Sequence, residues 1–350
     1  MLFEKTALDK KIYEEQISEF LPKKLFDIHV HVWKDEYRYI PAGTPKRWPS
    51  FVAKDSSIED LQETYKIFFP DKDVKALIFA TTSHDKNSLA QMNKYVEESA
   101  KKVDFPALYF SHPKQDVKEL ESEILKGGFL GVKSYLSLAD KPNPGKNARI
   151  FDFFPREQLK LLDDMGAIVM CHISKDLRFR DPENLADLKE ISQNYKNLKF
   201  IVAHIGRAYV KSDLGNALEY LQDCDNLLYD FCANTSDYVM EKALASVGSK
   251  RMFFGSDLPI LRMRTRRIDE NGFYINLVPP KIYGEPGQDP HMREVSEEEA
   301  KNLTYFMYEE ILAMKRATER LNSSREEIEN MFYNNADNLI KQVRKNIYGK

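Results

Sequence analysis

Cysteine is scarce: Cys171, Cys224 and Cys232 are the three in a chain of 350 residues. No two share a CxxC spacing, so neither a disulfide framework nor a cysteine-rich zinc site is indicated. No apolar run approaches the roughly 18 residues that a membrane helix needs. Residues 1–24 are mixed charged and polar and lack the apolar segment of a secretory signal. Neither GxGxxG nor GxxxxGKS/T follows an apolar run, which removes the phosphate cradles of the common nucleotide-binding folds. An excess of one charge sign is also missing: the net charge is −3 with 31% charged residues, so nothing draws the chain as a whole to nucleic acid or an anionic membrane. These absences predict a soluble, cytoplasmic protein that acts on a small molecule and binds neither nucleic acid nor membrane.

What is present begins with Leu25-Phe26-Asp27-Ile28-His29-Val30-His31-Val32. Side chains alternate along a β-strand, which puts Asp27, His29 and His31 on one face and Phe26, Ile28, Val30 and Val32 on the other. The two histidines would stand roughly 6.6 Å apart along the strand, close enough for rotatable imidazoles to converge on one metal ion. Asp27 would orient them or close the floor beneath them.

Downstream the pattern alternates between short apolar runs and helical periodicity. Strands are predicted at 25–32, 74–81, 106–111, 128–135, 166–172, 198–204, 226–231 and 251–256. Helices are predicted at 87–102, 117–126, 156–165, 182–195, 214–222 and 237–247. Runs such as Ile168-Val169-Met170-Cys171 suit a parallel sheet buried on both faces. Eight such strands predict an α/β chain with a closed (β/α)8 TIM barrel at residues 25–257. An amphipathic helix at 8–20 precedes it, and two helices within 297–348 would pack on its outside. Long irregular connections at 33–57 and 258–296 would flank the mouth, and no linker splits the chain, so residues 1–350 read as a single domain.

The polar residues fall where such a barrel concentrates chemistry. Lys133 ends strand four, His172 strand five and His204 strand six, and Asp257 follows strand eight. Strand C-termini in a barrel open on one face, so these residues gather with His29 and His31 around one mouth. Each alone has a structural explanation, as a loop cap, a turn residue or a snorkelling lysine. Four histidines, an aspartate and a lysine at the ends of five strands together point to a metal site.

At this level of detail the chain resembles the amidohydrolase superfamily, and within it the amidohydrolase 2 branch. Asp27-Ile28-His29-Val30-His31 resembles the strand-one HxH motif, and Ala203-His204-Ile205-Gly206 the strand-six histidine. His172 and Gly255-Ser256-Asp257-Leu258-Pro259 resemble the strand-five histidine and strand-eight aspartate, and Asn334-Asn335-Ala336-Asp337-Asn338-Leu339 the signature of the terminal helix. The resemblance implies that His29, His31, His172 and Asp257 hold one divalent ion, zinc in first place and manganese as the alternative. Asp257 would then shuttle a proton, and His204 would polarise a carbonyl or move a proton. In two-metal relatives a strand-four lysine is carboxylated and His204 becomes a ligand of the second ion. Here one metal is expected, with Lys133 as a cationic contact to substrate.

The substrate is read from the mouth loops. Arg262 and Arg264 in the last loop, Arg207 just past His204, and Trp33 after strand one suggest a small anionic, planar or cyclic substrate, because guanidinium groups grip carboxylates bidentately. Hydrolysis of an ester, lactone or amide is the first expectation. Non-oxidative decarboxylation of a hydroxybenzoate- or muconate-type acid is the alternative, and an inactive binding barrel is the third. Exposed aromatics would allow a homodimer.

Overall fold

Eight short parallel strands carry the architecture: β1 (Lys24–His31), β2 (Asp73–Phe79), β3 (Tyr109–Phe110), β4 (Gly131–Ser134), β5 (Ile168–Cys171), β6 (Lys199–Val202), β7 (Leu227–Asp230) and β8 (Met252–Phe253). They belong to a computed structural model that describes residues 3–44, 46, 48–83, 85–285 and 287–349. β1 pairs with β2, and β3 to β8 pair in chain order. Backbone hydrogen bonds join the two groups at both seams. Ile78 N donates to Pro106 O and Leu108 N to Ile78 O, each at 3.0 Å. On the other side Ile28 N donates to Phe254 O at 2.9 Å and Asp257 N to His29 O at 2.8 Å. Parallel bridges Ile78–Ala107 and Val30–Leu258 lie at the same two seams. The ring is therefore closed, as the predicted barrel requires.

Strand residues alternate between two buried clusters. Leu77, Phe79, Ile168, Met170, Ile201 and Phe253 share the inner one, while Ile78, Val132, Val169, Val202 and Tyr229 join the outer one beneath the helices. This two-sided burial explains why the strands read as unbroken apolar runs. Helices Ile58–Phe68, Lys86–Val103, Val117–Gly127, Arg156–Asp164, Pro182–Asn194 and Asp237–Val247 occupy the crossovers. Their starts are written in the sequence: Ser57 and Asp60 form a reciprocal capping box, and Asp116 and Asp181 accept from the first free N–H groups.

The expectations fail in five places. The helix Ile58–Phe68, which opens the first crossover, is not among those predicted, although Ser57 and Asp60 cap its start. Residues 214–222 form no single helix: Gly215, at φ 49°, separates Lys211–Leu214 from Ala217–Tyr220. The loop at 258–296 is not wholly irregular. It holds β9 (Arg266–Glu270) and β10 (Phe273–Val278) as an antiparallel hairpin, with β11 (Met292–Glu294) beside β10. Asn271 and Gly272, at φ 55° and 83°, make the tight turn between β9 and β10, and an Asn-Gly pair between apolar stretches is a strong hairpin signal. The two C-terminal helices are each interrupted, running as Glu297–Ala300 then Phe306–Arg320, and as Arg325–Glu329, a π turn at Asn330–Asn334, then Asn335–Tyr348. Nor is the last one simply outside the barrel, because Leu339, Ile340 and Val343 join the inner cluster. Its Asn335 Nδ2 donates to Ser249 O at 2.8 Å and Met252 O at 2.9 Å, and Tyr348 to Phe129 O at 2.8 Å, near the strand N-termini. That helix closes the floor, which leaves the opposite end for chemistry. Among the described residues, no helix is long and apolar enough to cross a membrane.

Candidate metal centre

The first strand does not keep the simple alternation expected of it. Its register with β2 shifts between Asp27 and Val30. Phe26 and Ile28 point into the inner cluster, whereas Val30 and Val32 belong to the outer one. A bulge of this kind changes which face the later residues occupy. Asp27 is thereby separated from the histidines. Its Oδ2 accepts from Tyr65 Oη, on the outer helix, at 2.8 Å, and its Oδ1 accepts from Ser256 N at 2.9 Å and His29 N at 3.2 Å. Burial pushes its carboxyl up to about 7 against these hydrogen bonds. Asp27 ties β1 to the segment after β8 and does not touch the imidazoles as an orienting partner.

His29 and His31 remain on the mouth side. His29 Nδ1 meets Asp230 Oδ2 at 2.9 Å, and His31 Nδ1 meets Ala80 O at 2.8 Å. Both acceptors demand a proton on Nδ1, so each neutral ring turns its Nε2 lone pair outward. Those Nε2 atoms lie 3.6 and 3.5 Å from the same Asp257 oxygen. Donor atoms of the three residues all lie within 4.8 Å of one another. Three electron-pair donors facing one point without a proton between them are what a cation satisfies, and the set of two nitrogens and a carboxylate fits zinc or manganese. Gly255 makes this approach possible: a Cβ there would stand 2.9 Å from His29 Cβ and 3.3 Å from Cys232 Cβ.

His172 lies outside that group of three, beside His204, with ring centroids 5.2 Å apart. Its Nδ1 is buried and has no partner among the described residues, so the fold itself makes no use of this donor. His204 stands in a left-handed turn in which His204, Ile205, Gly206 and Arg207 have φ of 58°, 49°, 62° and 60°. Such backbone costs a non-glycine residue about 1–2 kcal/mol and survives where surrounding structure enforces it. Asp230 Oδ1 accepts from His204 N at 2.7 Å, and His204 Nδ1 lies 3.0 Å from Cys232 O.

The electrostatics follow from burial. His29 is lowered by desolvation and by Lys133, and desolvation above all brings His204 down to about 4 despite Asp257 and Asp230, so both imidazoles are neutral near pH 7. Desolvation also lowers Lys133, 1% exposed, with Asp257 and Asp230 opposing; its Nζ is 5.4 Å above the Phe79 ring. Burial would raise Asp230, but His29 and His204 hold it at about 2. Asp257 is likewise held well below the usual carboxylate range, in spite of burial, by the close approach of His31 and by His29 and His204.

The four residues expected to bind substrate have separate fates. Arg207 adjoins the site: its charge disfavours a protonated His172, and its Nε is buried without a partner among the described residues. Trp33 is 5% exposed and donates from Nε1 to Lys54 O at 2.9 Å, pinning its own loop. Arg264 is committed to Asp9 at 2.6 Å and to backbone carbonyls, an ion pair with the N-terminal helix that takes the place of a substrate contact. Arg262 is buried next to Phe3, under the field of Asp60 and Glu63 on the outer helix, and its Nε and Nη2 have no partner among the described residues.

Sequence reasoning passed over Asp230 and Cys232. Asp230 closes the apolar run of β7 just as His172 and His204 follow theirs, so the rule that found the histidines applies to it equally. Also missed was a partly buried wall beside His204, in which Arg178 and Arg267 stack against Tyr209 and Tyr274.

Residues 26–340 match the family model described as Amidohydrolase. No curated protein matches this chain. Among solved structures, the probable 2-pyrone-4,6-dicarboxylic acid hydrolase of Acinetobacter baumannii, with citric acid bound, is 13% identical with a TM-score of 0.55, covering 91% of this chain and 99% of that one. The 4-oxalomesaconate hydratase of Rhodopseudomonas palustris is 16% identical with a TM-score of 0.54, over 93% and 98%. A dihydroxybenzoic acid decarboxylase from Polaromonas sp. JS666, with manganese and 2-nitroresorcinol bound, is 13% identical with a TM-score of 0.53, over 93% and 100%. At these identities the likeness establishes a shared fold.

Proposed function

We propose, given that this chain belongs to the amidohydrolase family, that it is a metal-dependent hydrolase of an ester, lactone or amide bond in a small carboxylated substrate. The observation that carries this reading is the convergence of the His29 and His31 Nε2 atoms on one oxygen of Asp257. These three residues would hold a single divalent ion, with the unpartnered His172 as a fourth donor. A zinc or manganese ion bound there supplies Lewis acidity and brings the pKa of a water towards about 7.

Asp257 takes the proton of the attacking water as its oxygen bonds to the acyl carbon. It returns that proton to the departing oxygen or nitrogen as the bond to carbon breaks. His204 is suited to accept a proton and not to donate one, because its Nδ1 proton is committed to Cys232 O and Nε2 is left as a lone pair. Arg207, whose Nε lacks a partner among the described residues, takes the substrate carboxylate. Lys133 adds a second cationic contact.

Decarboxylation is the second reading, and the burial of the mouth supports it. His204 is 2% exposed and Lys133 1%, surroundings that strip water from a carboxylate and favour its loss as CO2. A panel of 2-pyrone-type lactones and dihydroxybenzoates, assayed side by side for ring opening and for CO2 release, separates the two. Ring opening is expected; CO2 release without hydrolysis would overturn the first reading. Metal analysis should give a ratio near one per chain, and a ratio near two would overturn the single-ion assignment.

A further inference from the structure

Glu310 lies on the helix Phe306–Arg320, outside the ring, yet it is fully buried and aimed at the loop after β7. Its Oε2 accepts from Ala233 N at 2.6 Å, and its Oε1 has no partner among the described residues. The peptide unit to which that N–H belongs joins Cys232 to Ala233. Its carbonyl, Cys232 O, faces His204 Nδ1 at 3.0 Å, beside Cys232 Sγ at the same distance, a much weaker acceptor whose own proton goes to Asp230. One amide plane thus connects the two side chains, with the imidazole at one end and the carboxyl at the other.

The amide does not hold this orientation unaided. Ala233 has φ 52°, a left-handed conformation that costs a β-carbon residue about 1 kcal/mol or more. On the far side, Arg267 Nη1 donates to Ala233 O at 2.6 Å, and Asn234 Nδ2 reaches back to Ala208 O, just past the His204 turn, at 2.7 Å. Glu310 is the contact that fixes the N–H end of the plane. A bond donated by the N–H also polarises the carbonyl across the same amide and makes it a better acceptor.

We infer that Glu310 is a positioning residue: through the Cys232–Ala233 peptide it sets the acceptor that keeps the proton of His204 on Nδ1 and its Nε2 lone pair available. The role needs a hydrogen-bond acceptor at the Oε2 position, and a neutral one suffices. Burial, together with the negative charges of Asp27, Asp230 and Asp257, raises the Glu310 carboxyl well above its ordinary range and so favours the uncharged acid. Glutamine should therefore replace it. The consequence for turnover rests on the proton-accepting role given to His204 above, whereas the tautomer does not.

The test is nitrogen-15 NMR of the histidine rings in the full-length protein, metal-free and zinc-loaded. Wild type and Glu310→Gln should both show His204 protonated at Nδ1. Glu310→Ala should show a mixture with the Nε2-protonated form, and Glu310→Met does the same test if the alanine variant fails to fold. Where lactone hydrolysis is measurable, Glu310→Ala should lose kcat by about 10- to 100-fold with KM within about threefold, and Glu310→Gln should restore it. An unchanged His204 tautomer in Glu310→Ala or Glu310→Met would overturn the inference, even if activity or stability fell. A shifted tautomer in a protein inactive on every lactone would support it and count against the hydrolase reading instead.

Discussion

Replacing Asp230 by asparagine tests the centre most directly, although Asp230 lies behind the donors and not among them. The carboxylate accepts from His29 Nδ1 at 2.9 Å, His204 N at 2.7 Å, Cys232 N at 3.3 Å and Cys232 Sγ at 2.9 Å. Asparagine has one acceptor oxygen and one NH2 group of the same size. The backbone N–H of His204 is the shortest and least adjustable of the four donors, so the oxygen of the introduced amide should stay with it. The amide nitrogen then faces His29 Nδ1. Two N–H groups cannot share that contact, and leaving both unmade inside the barrel would cost about 1–3 kcal/mol. Moving the His29 proton to Nε2 relieves the conflict at small cost, but it removes the lone pair that faces Asp257. Asp230→Asn should therefore lower zinc affinity by about 10- to 100-fold, or about 1.4–2.7 kcal/mol, while the barrel stays folded. Chelator competition measures the affinity and circular dichroism checks the fold. Zinc affinity within about twofold of wild type, in a folded variant, would refute the claim that Asp230 sets the tautomer of a ligand.

Four further outcomes are expected. Asp257→Asn should keep the melting temperature within a few degrees and cut turnover by about 10²- to 10⁴-fold, checked by calorimetry beside the hydrolysis assay. Gly255→Ala should destabilise the protein by about 1–3 kcal/mol in urea, because the added methyl meets His29 Cβ at 2.9 Å with backbone on both sides to move. Arg207→Ala should chiefly raise KM, at least about tenfold, with a smaller loss of stability of about 1 kcal/mol as the Ile173 and Lys175 carbonyls lose their Nη1 donor. Arg264→Ala should do the reverse: Asp9, although burial opposes, is held below its ordinary pKa by the Arg264 hydrogen bond, so the stability from this pair is present above about pH 4 and fades as pH falls. The difference in urea stability between wild type and Arg264→Ala should accordingly narrow on acidification from about pH 7.

By itself the sequence determined most of the strand and helix rhythm, because two-sided burial writes β1 to β8 as apolar runs and capping residues such as Asp116 and Asp181 mark helices between them. It also placed His29, His31, His172, His204 and Asp257 at one end of the ring, since parallel strands must point the same way. Tertiary structure decided the rest. The bulge in β1 separates Asp27 from the two histidines, and no alternation pattern announces it, since it arises where β1 must meet β2 on one side and the Gly255 segment on the other. The aromatic and arginine residues of the mouth loops carried no signal of direction, so Arg264 was equally legible as a substrate contact and as the partner of an aspartate 255 positions away. Asp230 and Glu310 act through proton placement on imidazoles contributed by other elements. A hydrogen bond spanning 201 positions, as between His29 and Asp230, exists only once the barrel is closed, and for that reason the linear sequence holds the candidate ligands but not what aims them.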